Sequence, residues 1–336
     1  MASLLFCLAV LSGCQPQSGP VDQVVFTGPI MGTDYRITLV NHRRHDDLTL
    51  KELEADVKAV MQRVNQSMSN YLPDSELSQF NRLPAGQTQT ISADFDAVVR
   101  ESLNISKLSE GAFDITLARA IDLWGFGPKG IIDRQPSDQM ISEIKPTVGY
   151  QNLILGTNTL SKKIDGVELS VSAIAKGYAV DRVAQVLEKN GVTNFLVNIG
   201  GELRASGRSA DDTLWRVGIE KPHVLGGIQR IATLDNQAIA TSGDYRNYLV
   251  IDGQQFSHTI DPITLKPAYH KLALVSVIAD NASTADAFAT ALLAMGEARA
   301  WEFVQHQGLA AYLVIRGQGE DQFEIKISDK FNRNLK

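Results

Sequence analysis

Four groups of residues carry side chains able to do chemistry. The first is Asp286 and Thr290, four positions apart in S-T-A-D-A-F-A-T-A-L-L. On a helix that spacing puts a carboxylate and a hydroxyl on one face, one turn apart. Two hard oxygens so placed suit Mg²⁺, which takes few protein ligands and keeps positions for water and phosphate. Spacing alone leaves a plainer reading ahead, a first-turn aspartate on the helix dipole and a threonine bonded back to a carbonyl. The second group is Lys176-Gly177 within V-S-A-I-A-K-G-Y-A-V-D, Val171 to Asp181. A cation in the first turns of a helix adds to the anion-attracting N–H groups there, and the glycine admits a close neighbour. A surface lysine beside a packing glycine is the ordinary alternative. The third is Ser257-His258-Thr259-Ile260-Asp261-Pro262, where a strand ends at a Pro-marked turn. His258 and Ile260 share a face, and a histidine at a strand end is a candidate general base or a structural residue. The fourth, Thr241 to Tyr245, reads as a turn rich in small hydrogen-bonding groups.

These residues need elements to hold them. Ser172 reads as the N-cap of a helix running through Ile174, Val183 and Leu187 to Asn190-Gly191. Thr49 with Glu52 predicts a capping box, and the apolar spacing from Leu50 to Val64 a helix reaching about Met68. Ser92 caps a predicted helix ending near Gly111, and further helices are expected over Thr284–Met295 and Arg299–His306. Strands are expected around Tyr35–Leu39, Phe195–Ile199, Trp215–Ile219, Ile228–Leu234, Tyr248–Ile251, Phe256–Ile260, Leu272–Ile278, Ala311–Ile315 and Phe323–Ile327. Asp252-Gly253 marks a hairpin between two of them. The Gly- and Pro-rich run from Trp124 to Pro146 shows no clear periodicity and reads as a loop, functional or merely connecting. Strands outnumber βαβ alternation, so the expected class is α+β.

Composition narrows the function classes. With 44% hydrophobic and 21% charged residues the chain has globular composition, and a net charge of −6 without a basic cluster argues against wholesale nucleic-acid binding. Any phosphate-bearing ligand therefore needs a local site. No G-x-G-x-x-G follows a first strand, and Walker A, H-E-x-x-H and G-x-S-x-G sequences are absent. The apolar run Leu4 to Val10 is too short to span a bilayer and leads to Leu11-Ser12-Gly13-Cys14. That pattern is similar to a bacterial lipoprotein box, with residues 1–13 as signal peptide, Cys14 as the lipidated residue and 14–23 as a polar tether. The usual positive n-region is missing, since no Lys or Arg precedes Arg36. Cleavage there removes Cys7 and leaves no pair of cysteines to form a disulfide.

Taken together the segments resemble the ApbE family, flavin transferases that attach FMN to target proteins. The resemblance runs in order from Met31 to Thr290. Its earlier part is Met31-Gly32-Thr33, S-E-L-S-Q-F-N at Ser75, G-A-F-D-I-T at Gly111, and W-G-F-G at Trp124. A-I-A-K-G-Y-A-V-D at Ala173, N-I-G-G-E at Asn198, S-G-D-Y at Ser242, S-H-T-I-D-P at Ser257 and A-D-A-F-A-T-A at Ala285 complete it. The resemblance implies one flavin-binding body over 24–336, with mixed or antiparallel sheets flanked by helices. It implies FAD as substrate, contacted by Met31, Tyr71, Ala112, Phe113, Asp114, Ser170, Lys176 and Ile260. It further implies Mg²⁺ held by the Ala173 carbonyl, Asp286 and Thr290. Ser170 stands where relatives often carry Asp. His258 is then the candidate base for the acceptor hydroxyl. By the same resemblance FMN passes from FAD to a threonine in an Asp-x-x-(Ser/Thr)-Gly/Ala-Thr type motif, in a subunit of a membrane redox complex. The protein would be lipid-anchored and periplasm-facing in the bacterial cell envelope. Two rival readings keep the same scaffold: an FAD pyrophosphatase giving FMN and AMP, and a flavin-binding lipoprotein without catalysis.

Overall fold

A computed structural model describes residues 23–40, 47–222, 227–245, 247–251, 253–319 and 322–335. Cys14, the signal segment 1–13 and nearly all of the tether lie outside the described residues. Gln23, expected to end the tether, already belongs to a strand.

The chain opens with the antiparallel pair β1 (Gln23–Ile30) and β2 (Thr33–Val40), then α1 (Asp47–Met68) and α2 (Glu76–Arg82). There follow β3 (Thr88–Thr90), α3 (Ala93–Leu108), α4 (Ala118–Leu123), α5 (Asp138–Ile144), β4 (Leu153–Leu155) and β5 (Thr159–Lys162). Helix α6 (Ala175–Lys189) leads into β6 (Phe195–Ile199), β7 (Glu202–Ser206), β8 (Trp215–Glu220), β9 (Ile228–Leu234) and β10 (Ala238–Gly243). The hairpin β11 (Tyr248–Ile251) and β12 (Gln254–Ser257) precedes β13 (Leu272–Ala279). The last elements are α7 (Ala282–Met295), α8 (Glu297–Gln307), β14 (Ala310–Arg316), β15 (Phe323–Ile327) and α9 (Asp329–Asn332).

Eight strands form one sheet in the order β1-β2-β6-β7-β10-β13-β14-β15, every neighbouring pair antiparallel. This is the α+β body expected from the sequence. Alternation along β13 explains why the sheet is covered on both sides. Leu272, Val275 and Val277 join the core under α1, α3, α6 and α7, while Leu274 and Ile278 face a second core under the β8–β9 hairpin and α9. Buried apolar area on both faces makes the sheet a rigid platform, and the site is built along one of its ends.

Several local expectations are corrected. Helix α6 starts at Ala175, and its N-cap position is Ile174, which offers no capping side chain; Ser172 lies in the preceding turn, its hydroxyl against that of Ser170 at 3.2 Å. Helix α1 begins at Asp47, ahead of Thr49. The run from Trp124 to Pro146 contains α5, capped by the Ser137 hydroxyl on the Met140 N–H at 3.3 Å. The strand expected to reach Ile260 stops at Ser257, and Ile260 makes a single bridge to Pro267. Strands β1, β3, β4, β5, β7 and β10 have no counterpart among the expectations, and Thr241–Gly243, expected in a turn, form the end of β10. The β11–β12 hairpin forms as its turn signal suggests, with Asp252 itself outside the described residues.

Candidate active site

Two tight hairpins meet beside the start of α6. In the first, Ile30 pairs with Thr33, so Met31-Gly32 is a two-residue turn with φ of 50° and 74°. Both central residues having positive φ matches the twist of the flanking strands, at some cost for a methionine. In the second, Ile199 pairs with Glu202 across Gly200-Gly201, with φ of 63° and 107°. A Cβ on Gly200 would sit 2.8 Å from Thr33 Cγ2 and 3.4 Å from Lys176 Cδ. The bare glycine is therefore what allows the two tips and the lysine stem to meet.

These tips form one wall of a cavity of 940 Å³. Met31, Ala112, Phe113, Asp114, Ser170 and Ala173 line it, as do Lys176, His258, Ile260, Asp286 and Thr290. Segments spread over the chain are thus brought to one place. Tyr71 is the exception: it is 71% exposed and stands outside the wall of this cavity.

The Lys176 ammonium donates to Glu202 Oε1 at 2.5 Å. Burial opposes its charge, yet the Asp286 and Glu202 carboxylates hold its pKa above the usual lysine value. Glu202 is raised to about 7, mainly by burial and by the charge of Asp286, with Lys176 pulling the other way. Its Oε2 is buried with no hydrogen-bond partner among the described residues. Residue type and local spacing alone give Glu202 no role. Its position directly after the Gly-Gly turn was the available signal, because the turn register aims it at the same wall as Lys176.

Asp286, 3% exposed, accepts from the Gly177 N–H through Oδ2 at 3.1 Å. In a helix begun one residue earlier that N–H would close on the Ala173 carbonyl; that bond is not made among the described residues, and Ala173 lines the cavity. Burial raises the Asp286 pKa, countered by Lys176 and the Gly177 N–H. One turn on, Thr290 Oγ1 lies 3.2 Å from Ser242 Oγ. The donor set is one carboxylate, one hydroxyl and one carbonyl, all hard oxygens on one cavity. It fits Mg²⁺, whose sites use few protein ligands and leave room for phosphate oxygens. Among the described residues no cluster of three or more His, Cys, Asp or Glu could hold a metal.

His258 is half-buried, with Nδ1 2.9 Å from the Asn247 carbonyl. A carbonyl only accepts, so Nδ1 carries the hydrogen and Nε2 keeps the free lone pair. Burial and the nearby Lys176 charge lower its pKa, against the Asn247 carbonyl and Asp244. The ring is set against Phe126 edge-on at 6.4 Å, and Trp124 packs on Phe256 at 5.5 Å. Trp124 Nε1 donates to the Leu265 carbonyl at 2.8 Å, pinning the turn after Pro262. The W-G-F-G segment is therefore an anchor for the histidine's strand end.

Asp114 serves shape as well as lining. Its carboxylate accepts from the Thr116 N–H and hydroxyl at 2.8 and 2.6 Å and from the Tyr150 N–H at 2.8 Å. Those bonds tie down the loop whose residues Ala112 to Ile115 line the cavity; burial raises the Asp114 pKa and the bonds oppose it.

The ApbE family model matches residues 31–313. FAD:protein FMN transferase of Vibrio cholerae is 37% identical over 328 residues, covering 97% of this chain and 96% of the relative. The protein of that name from Haemophilus influenzae is 37% identical over 330 residues, with 96% and 94% covered. The solved flavin transferase ApbE from Vibrio cholerae superposes with a TM-score of 0.87 at 36% identity, covering 94% of this chain and 100% of that one. The apo form of Pseudomonas stutzeri flavinyl transferase ApbE gives 0.85 at 36% identity, with 94% and 97% covered. The chain belongs to the ApbE family.

Proposed function

We propose that the protein transfers the FMN portion of FAD to a threonine hydroxyl of an acceptor flavoprotein and releases AMP. The observation that carries this reading is the convergence of Lys176, Asp286, Thr290 and His258 on one cavity large enough for a dinucleotide. Full-length similarity to FAD:protein FMN transferases supports it.

The acceptor O–H gives its proton to His258 Nε2 as its oxygen bonds to the phosphorus of the FMN half. The bond from that phosphorus to the bridging oxygen breaks, and AMP leaves with the electron pair. Lys176 supplies fixed positive charge where the phosphates lie, held ready by Glu202 instead of by solvent. The helix end of α6 contributes less than expected, because the Gly177 N–H is taken by Asp286. Bound through Asp286, Thr290 and the Ala173 carbonyl, Mg²⁺ would offset charge growing on the departing phosphate. Such a displacement rests on positioning and electrostatics, so no covalent protein nucleophile is required.

The acceptor's Asp-x-x-(Ser/Thr)-Gly/Ala-Thr type motif, its place in a membrane redox complex, and a periplasm-facing lipid anchor at Cys14 belong to the same proposal. Among the described residues no helix is long and apolar enough to cross a membrane.

The test is incubation with FAD, Mg²⁺ and an acceptor domain, followed by intact-mass analysis. An acceptor heavier by one FMN supports transfer. AMP and free FMN with unmodified acceptor would mean hydrolysis, and intact FAD bound without turnover would mean a binding protein only.

A further inference from the structure

Helices α6 and α7 cap each other. The N-cap residue of α7, Asn281, makes no side-chain bond to its helix. The role is filled from α6: Asp181 accepts from the Ala282 N–H through Oδ1 and from the Ser283 N–H through Oδ2, both at 2.9 Å. The N-cap residue of α6, Ile174, likewise offers no side-chain bond. There the role is filled from α7, where Asp286 accepts from the Gly177 N–H at 3.1 Å. Each aspartate thus sits on the other helix's positive end, where a carboxylate is stabilised by both the N–H groups and the dipole.

The fit between the helices is tight enough to transmit position. A Cβ on Gly177 would lie 2.3 Å from the Ala282 carbonyl oxygen and 2.8 Å from Ser283 Cα. The Arg204 guanidinium, from β7, bonds Asp181 Oδ1 at 3.0 Å and compensates its buried charge. Asp181 is 5% exposed and lies outside the lining of the cavity, so it has no route to the substrate. Ala282 and Ser283, which it holds, stand about one helical turn before Asp286 on the same helix.

We infer that Asp181 is a positioning residue for the metal site: by anchoring the first turn of α7 on α6, it fixes Asp286 and Thr290 against the Ala173 carbonyl. This rests on the metal reading given above. Loss of the anchor leaves two N–H groups of α7 unpaired and lets its first turn shift, which spreads the oxygen set apart. Residues one shell out from a metal typically change its affinity by about 10- to 100-fold when replaced.

The test titrates Mn²⁺ into wild-type, Asp181→Asn and Arg204→Met proteins in the presence of ADP, an inert pyrophosphate, with free Mn²⁺ read by electron paramagnetic resonance. Asp181→Asn keeps the size but offers one acceptor in place of two. Its Mn²⁺ dissociation constant is expected to rise at least tenfold, while ADP affinity without metal stays within twofold. Arg204→Met, which leaves both caps but frees the carboxylate to move, is expected to shift in the same direction by less. A purely structural role would lower the melting temperature without moving the Mn²⁺ constant of the folded protein. Folded Asp181→Asn that binds Mn²⁺ as wild type does overturns the inference. Should that variant not fold, an unchanged constant in Arg204→Met overturns it. Wild-type protein that retains no Mn²⁺ contradicts the metal reading itself, and the inference falls with it.

Discussion

At the residue scale the proposed chemistry turns on His258. Its Nδ1 is committed to the Asn247 carbonyl, so only Nε2 can take a proton. Burial, joined by the Lys176 charge, holds its pKa below the usual 6.5. The neutral, proton-accepting form therefore already predominates at pH 6.5 and is lost only as pH falls through the depressed value. The limb of kcat/KM that reports this base should stay flat down to that pH and turn down below it; a histidine limb centred above 6.5 contradicts the assignment. His258→Ala should slow transfer by about 10²- to 10⁴-fold, the usual worth of a positioned general base. FAD affinity, read by fluorescence titration, should be little changed. Side-chain type and short spacing make Asp286, Thr290, Lys176 and His258 candidates, but the family resemblance is what puts the site reading ahead of the plainer ones. Glu202 is not among these candidates, since what gives it meaning is Lys176, which neither helix nor strand periodicity connects to it. Tyr71, named only through the resemblance, has its side chain open to solvent.

At the scale of elements, the helices were readable and their ends were not. The apolar spacing of α6 and α7 survives in the cores they share with the sheet. Their caps come from each other, across about a hundred residues, and no local rule for N-cap residues can see such a partner. Ser172 has the right residue type and the wrong geometry. Two substitutions test the packing. Gly177→Ala places a methyl against the backbone of Ala282, which cannot move aside as a flexible side chain would. A loss of about 1–3 kcal/mol is expected, the ordinary cost of overpacking, and calorimetry measures it. Lys162 is buried in a different role, its ammonium donating to the carbonyls of Phe80, Asn81 and Val167 at 3.2, 3.1 and 2.8 Å. Lys162→Met leaves those acceptors without their donor and should cost about 1–3 kcal/mol by denaturant unfolding. An unchanged midpoint would show that the ammonium's burial cancels its bonds.

For the whole molecule, the strand-rich pattern was enough to set the α+β class, but not the strand order. Pairing β2 with β6, or β7 with β10, depends on partners remote in sequence, and alternation along a strand gives its faces without naming its neighbours. Strand β1 escaped notice because Gly28 and Pro29 interrupt its apolar pattern, although its register with β2 is continuous. The cavity is a product of this topology: hairpin tips, a helix start, a strand end and a second helix converge from segments between Met31 and Ala294. Removal of divalent metal with EDTA should abolish transfer and be reversed by added Mg²⁺. Asp286→Ala should do the same irreversibly while weakening FAD binding far less. Full turnover in either case would remove the metal from the account. The most direct test is a single-turnover reaction with FAD, Mg²⁺ and acceptor domain, in which AMP is quantified and the modified residue is located by tandem mass spectrometry. The expected result is one AMP for each FMN linked through phosphate to a threonine of the acceptor. AMP in excess with free FMN, or FMN linked to another residue type, would contradict it.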